Sequence, residues 1–162
     1  MTRRSDRGSV LALVPAAFLV LIILGALAVD SAAAYLGQRQ LRDSLGAAAA
    51  DAVGAGLSRS RFYANGSVAL AGSQAAQVVC QSVAAQADGD LHDLRLWIAV
   101  AGPTIRLEGT ASVEAVFGRE IPGFGVRHVR ASVTATAATG TLAREVAPQP
   151  PPAAALEPLS CG

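Results

Sequence analysis

Residues 10–29 read VLALVPAAFLVLIILGALAV, an uncharged run between Arg3, Arg4 and Arg7 on one side and Asp30 on the other. At a helical rise of about 1.5 Å per residue, about 20 residues reach roughly 30 Å, the hydrocarbon thickness of a bilayer. A helix satisfies its own backbone hydrogen bonds, so lipid requires only that its side chains be apolar. The run therefore predicts a transmembrane helix, with everything after Asp30 carried by it. In water Pro15 would break that helix, because it removes a hydrogen bond and clashes one turn back. Inside a membrane helix it is tolerated as a bend. Gly25 and Ala26 would let a second helix approach closely, although such small residues also fit the alanine excess of the whole chain.

More arginine lies immediately before the run than immediately after it, which puts the N-terminus on the cytoplasmic side. Arg39 and Arg42 follow within reach of the opposite interface, so the margin is narrow. Asp30 admits two readings. One is a boundary carboxylate at headgroup level; the other is a partner for a cationic group of a packed neighbouring subunit, since a charge in apolar surroundings needs pairing. Tyr35 stands where an interfacial aromatic would anchor the helix exit.

Helix-forming sequence continues past Asp30. Leu41, Leu45, Ala48, Ala49, Ala52 and Val53 fall on one face at three-to-four spacing, with Arg39, Arg42 and Asp43 on others. One helix over 9–57 is expected, about 75 Å long, with Gly54 and Gly56 marking its end. The polar stretch 58–66 carries the turn signal Asn65-Gly66. Asn65 or Ser67 can then cap a second helix over 67–87, whose apolar positions Val68, Ala71, Ala75, Val78, Val79 and Val83 keep helical period. Asp88-Gly89-Asp90 ends it as a turn.

From Leu91 the period changes to two. Leu94, Leu96, Ile98 and Val100 alternate with Arg95, Trp97 and Ala99. After Gly102-Pro103, Ile105, Leu107, Gly109, Ala111, Val113, Ala115 and Phe117 share one face, opposite Thr104, Arg106, Glu108, Thr110, Ser112 and Glu114. A third run sets Val129, Ala131, Val133, Ala135 and Ala137 against His128, Arg130, Ser132, Thr134 and Thr136. Three such runs predict a three-stranded antiparallel meander with one wet face, the other covered by the helices. The fold class is α+β. Its parts are a cationic leader (1–8), a transmembrane helix with an extramembrane extension (9–57), a small exported domain (58–140) and a proline-rich tail (141–162) expected to be extended or disordered.

The 162 residues allow one modest domain beside the apolar run. A net charge of +1 offers no electrostatic case for nucleic acid. Aromatic residues make up 4%, so the core has to come from Ala, Val and Leu. His92 and His128 stand on different elements, and no phosphate loop, HExxH or CxxC motif occurs. Asp88, Asp90 and Asp93 lack the calcium-loop spacing and its closing glutamate, and read as a solvated turn. Glu108 and Glu114 stand about 20 Å apart along a strand, too far for a paired-carboxylate mechanism. No catalytic, metal, cofactor or small-molecule site is expected. The only cysteines, Cys80 and Cys161, permit a disulfide in an exporting compartment; Cys161 can equally reach a neighbouring subunit, or stay unpaired.

Arg7-Gly8-Ser9-Val10, the run with Pro15, Ala28-Val29-Asp30, Tyr35-Leu36, Arg39-Gln40-Leu41 and Ala50-Asp51-Ala52 occur in an order that resembles the TadE/TadG-like family. These are pilin-like proteins of bacterial tight-adherence (Flp) pilus systems. The resemblance covers roughly the first third of the chain. It implies a non-catalytic pilin-like subunit or assembly component in the bacterial membrane, with its C-terminal domain outside and lipid and other pilin-like subunits as partners. It also implies Gly8 as a processing position, cleaved before Ser9 by a prepilin-type peptidase. Where the TadE-type pattern has glutamate, five residues after Gly8, this chain has Leu13, which favours the TadG-like branch that stays uncleaved. The competing reading is a secreted globular protein with a cleaved signal peptide, for which Ala26-Leu27-Ala28 and Ala32-Ala33-Ala34 offer small-x-small sites.

Overall fold

The computed structural model describes residues 7–86, 91–120, 125–137 and 155–161. Helix α1 (Arg7–Ala55) runs unbroken through Pro15. Two shorter helices follow, α2 (Arg59–Asn65) and α3 (Gly72–Gln86). Strands β1 (Leu91–Ala101), β2 (Thr104–Glu114), β3 (Val126–Thr136) and β4 (Glu157–Leu159) form one sheet in the order β3-β2-β1-β4, every pair antiparallel.

Helix α1 changes character along its length because its sequence does. From Leu13 to Val29 its large apolar side chains are exposed, Leu13 at 61% and Ile23 at 51%. Among the described residues nothing covers them. Beyond Asp30 the stripe Leu41, Leu45, Ala48, Ala49 and Ala52 is fully buried and carries the core. It meets Ala75, Val79 and Val83 of α3, and Leu96, Ile98, Ile105, Leu107, Ala111, Val113, Val129 and Ala131 of the sheet. The alternation read in the strands thus has its dry face against the helices. Small residues let the layers close up: a side chain at Gly37 would run into Val113, and Leu45 reaches within 3.1 Å of where a Cβ on Gly109 would stand.

The sheet has four strands, where the sequence predicts three. Strand β4 comes from the proline-rich tail, with Leu159 opposite Leu96 and Glu157 opposite Ile98. Too short to show any period, it pairs along the edge of β1 that β2 leaves open. Exposed edges are commonly covered in this way. The stretch 58–66 is also not a plain turn. Ser58 caps α2, accepting a long 3.5 Å bond from the Arg61 N–H, and Gly66 ends it at φ +67°, a conformation that favours glycine. Asn65 therefore does not cap the next helix. Its Oδ1 accepts from the Ser67 N–H and hydroxyl, and α3 starts later, at Gly72.

Strands and α1 run alongside each other. Gly37 faces Val113, Leu41 and Leu45 face Gly109, and beyond the far end of α1 the Leu70 N–H donates to the Gly102 carbonyl. The β1–β2 turn therefore lies far from the apolar segment, and the Glu114 end of β2 and the Val126 end of β3 lie next to it.

Candidate functional site at the neck

The exposed apolar segment meets the packed head at Asp30. Its neighbour Val29 is 44% exposed, yet Asp30 itself is only 6% exposed. Its Oδ1 accepts from the backbone N–H groups of Val116 (2.8 Å) and Phe117 (2.9 Å), and its Oδ2 from that of Gly118 (2.9 Å). Gly118 opens a single 3₁₀ turn, Gly118–Glu120, so these donors have no strand partner of their own. Three N–H groups converging on one carboxylate make an anion-binding concavity, here filled from within the chain. The Phe117 N–H is the strongest of the influences that hold the Asp30 carboxyl below its ordinary value; desolvation opposes it, and the Gly118 and Val116 N–H groups and the Arg127 charge add to it. Among the described residues the partners of Asp30 are main-chain donors of its own head, a contact that neither sequence reading of Asp30 contained.

Around Asp30 the neck carries exposed apolar and cationic side chains. Val116 is 56% exposed, Phe117 53% and Val126 51%. The Ala115 N–H donates to the Gly125 carbonyl (2.9 Å), which pins both ends of the β2–β3 connection at this level. Between α1 and β3 lies a cleft of about 480 Å³ that includes Asp30, Tyr35, Gln38, Arg127 and His128. Tyr35 is exposed at its mouth. Pro15 and Gly25 lie on the exposed segment, with nothing within 4 Å of the Gly25 Cβ position. Gly8 and Ser9 fall in the first turn of α1.

On the outer face of the sheet Glu108 is buried, although the alternation places it on the wet side. Both its oxygens are taken, Oε1 by Arg106 and Oε2 by Arg130, each at 2.5 Å. The Arg130 hydrogen bond leads the causes that lower its pKa, against desolvation. Cross-strand register puts His92, Ser112 and His128 in one row, a juxtaposition the linear spacing hides. The single Ser112 hydroxyl proton is shared between the His92 carbonyl (3.2 Å) and Asp93 Oδ2 (3.1 Å). Asp93 holds φ +51° at the bulge in β1, while Asp88 and Asp90 lie outside the described residues. Among the described residues no three His, Cys, Asp or Glu are grouped to hold a metal ion.

Cys80 on α3 and Cys161 just after β4 are bonded, with a Cα separation of 5.3 Å. At the far end of α1 a larger cleft, about 760 Å³, opens beside α2, where Phe62 and Tyr63 stack edge to face and are both exposed. The sequence offered no signal for this cleft, because α2 itself was not legible. Helix α1 is long and apolar enough to cross a membrane. Compared with protein-family models, with curated proteins and with solved structures, the chain finds no match.

Proposed function

We propose that the chain is a membrane-held, pilin-like structural or assembly component of a bacterial tight-adherence (Flp-type) pilus or secretion system, with no catalysis of its own. One observation carries the reading: a single unbroken helix is exposed and apolar from Leu13 to Val29, and then becomes the central core element of a small α+β head. Lipid, or other helices of the same kind, is the surrounding that suits the first part. The second part explains why the helix does not stop at the boundary, since Leu41, Leu45 and Ala48 are what the sheet packs on. In this reading the cationic leader stays in the cytoplasm, the head lies outside, and the disulfide belongs to an oxidising compartment.

Clean deletion of the chromosomal copy in the source bacterium is expected to abolish piliation and surface adhesion, with restoration by the intact gene. Unchanged piliation overturns the proposal. Determining the N-terminus of the mature protein separates the forms it can take. A start at Met1 or Thr2 identifies an uncleaved anchor, and a start at Ser9 a processed pilin. A start near Val29 identifies a secreted protein without its apolar segment, and overturns the anchored form.

A further inference from the structure

The geometry points to a second bilayer contact in this protein: the neck of the head, through Val116, Phe117 and Val126, dips into the interfacial layer of an anionic membrane beside α1. The inference rests on the anchored reading above, and adds to it a surface that the anchor alone does not require.

Position is the first argument. Asp30 is the first residue past the apolar run, and its carboxylate grips the N–H groups of Val116, Phe117 and Gly118 at 2.8–2.9 Å. These residues are therefore held within a few ångströms of the level where the run ends. They cannot drift away from it without releasing three hydrogen bonds from a carboxylate that is almost fully enclosed. Direction is the second. The pairings of Gly37 with Val113 and of Leu41 and Leu45 with Gly109 show β2 descending toward the apolar segment, so its Glu114 end is the end facing the bilayer.

Chemistry is the third. A head that merely hung above the membrane would have polar side chains at this end. Instead Val116, Phe117 and Val126 are all more than half exposed and adjoin one another across the Ala115–Gly125 bond. Among the described side chains Arg119 and Arg127 are exposed at the same end, placed for lipid phosphates, and Glu114 is an exposed carboxylate beside them. Apolar side chains at the acyl boundary with arginines in the headgroup layer are the pattern of an interfacial membrane contact. A second copy of the chain is the competing occupant of these apolar residues, and burial against it would shield them from lipid.

The test uses the full chain with Trp97→Phe, which removes the sole tryptophan, reconstituted in phosphatidylcholine and phosphatidylglycerol vesicles. Some of the vesicles carry lipids brominated near the glycerol end of their chains. A tryptophan reporter is placed at Phe117 (Phe117→Trp), at Val116 (Val116→Trp) in case the first variant misfolds, and at Phe18 (Phe18→Trp) within the apolar run. Loss of emission in brominated vesicles for both the Phe18 and the neck reporters is the expected result. Quenching at Phe18 alone overturns the neck contact and leaves the anchor standing, whereas quenching at neither site overturns both. A neck reporter whose emission is blue-shifted but unquenched identifies burial against protein, and also overturns the inference.

Discussion

Asp30 decides how the apolar segment is joined to the head, and it does so with charge. A neutral amide can accept at one position only and would turn N–H donors toward one of the three backbone N–H groups. Asp30→Asn is therefore expected to lower the thermal midpoint of the full chain in detergent at neutral pH. Acid should reproduce the defect. The folded-state pKa of Asp30 lies below its ordinary value of 3.8, so the unfolded chain takes up the proton first. The contribution is complete above the unfolded value and is lost as pH falls through the depressed folded one. The gap between the intact protein and Asp30→Asn should hold at pH 7 and shrink below the ordinary aspartate range, measured by circular dichroism melts across pH. A gap that persists unchanged in acid contradicts this account. Glu108 shows why single residues mislead a reading by pattern: alternation put it on the wet face correctly, and only the reach of Arg106 and Arg130 from neighbouring positions buries it there.

Among the elements, α1 carries the most information, because its two halves follow two different patterns. An all-round apolar run and a three-to-four stripe are both visible in one dimension, so the helix and its buried face, Leu41 through Ala52, were legible. The contact of Gly37 with Val113 was not, since it depends on where β2 lies. Glycine in a helix ordinarily costs stability, and Gly46, with nothing within 4 Å of its Cβ position, should follow that rule. Gly46→Ala is expected to stabilise the head by about 0.5–1 kcal/mol. Gly37→Ala should act in the opposite sense, costing about 1 kcal/mol or more, because the new methyl enters the space of the Val113 side chain. Urea unfolding of the two variants side by side measures both signs. Two destabilised variants would mean that helix propensity is not what Gly46 limits. Helix α2 and strand β4 were missed for a related reason: a seven-residue helix and a three-residue strand are shorter than the periods that betray longer ones.

For the whole molecule, the bond from Cys80 to Cys161 and strand β4 close the chain onto itself across 81 residues. Removing that cross-link frees the unfolded chain, and the chain-entropy estimate for a loop of this size is about 4.5 kcal/mol. Cys161→Ser, or reduction of the intact protein, is expected to destabilise the head by about 3–4 kcal/mol in urea and to speed amide exchange in β1 where it faces Leu159. Unchanged exchange would show that β4 stays in place without the bond. The sequence by itself determined the α+β class, the long helix with its apolar run and its buried stripe, the alternating strands and their dry face, because each is a local periodicity that the chain spells out residue by residue. The partners of Asp30, the burial of Glu108, the fourth strand, the pairing of the cysteines and the side of the head turned toward the apolar segment were decided only by the tertiary structure. Each joins residues far apart in the chain, and no periodicity records which distant backbone a carboxylate, a sulfur or an open strand edge will meet.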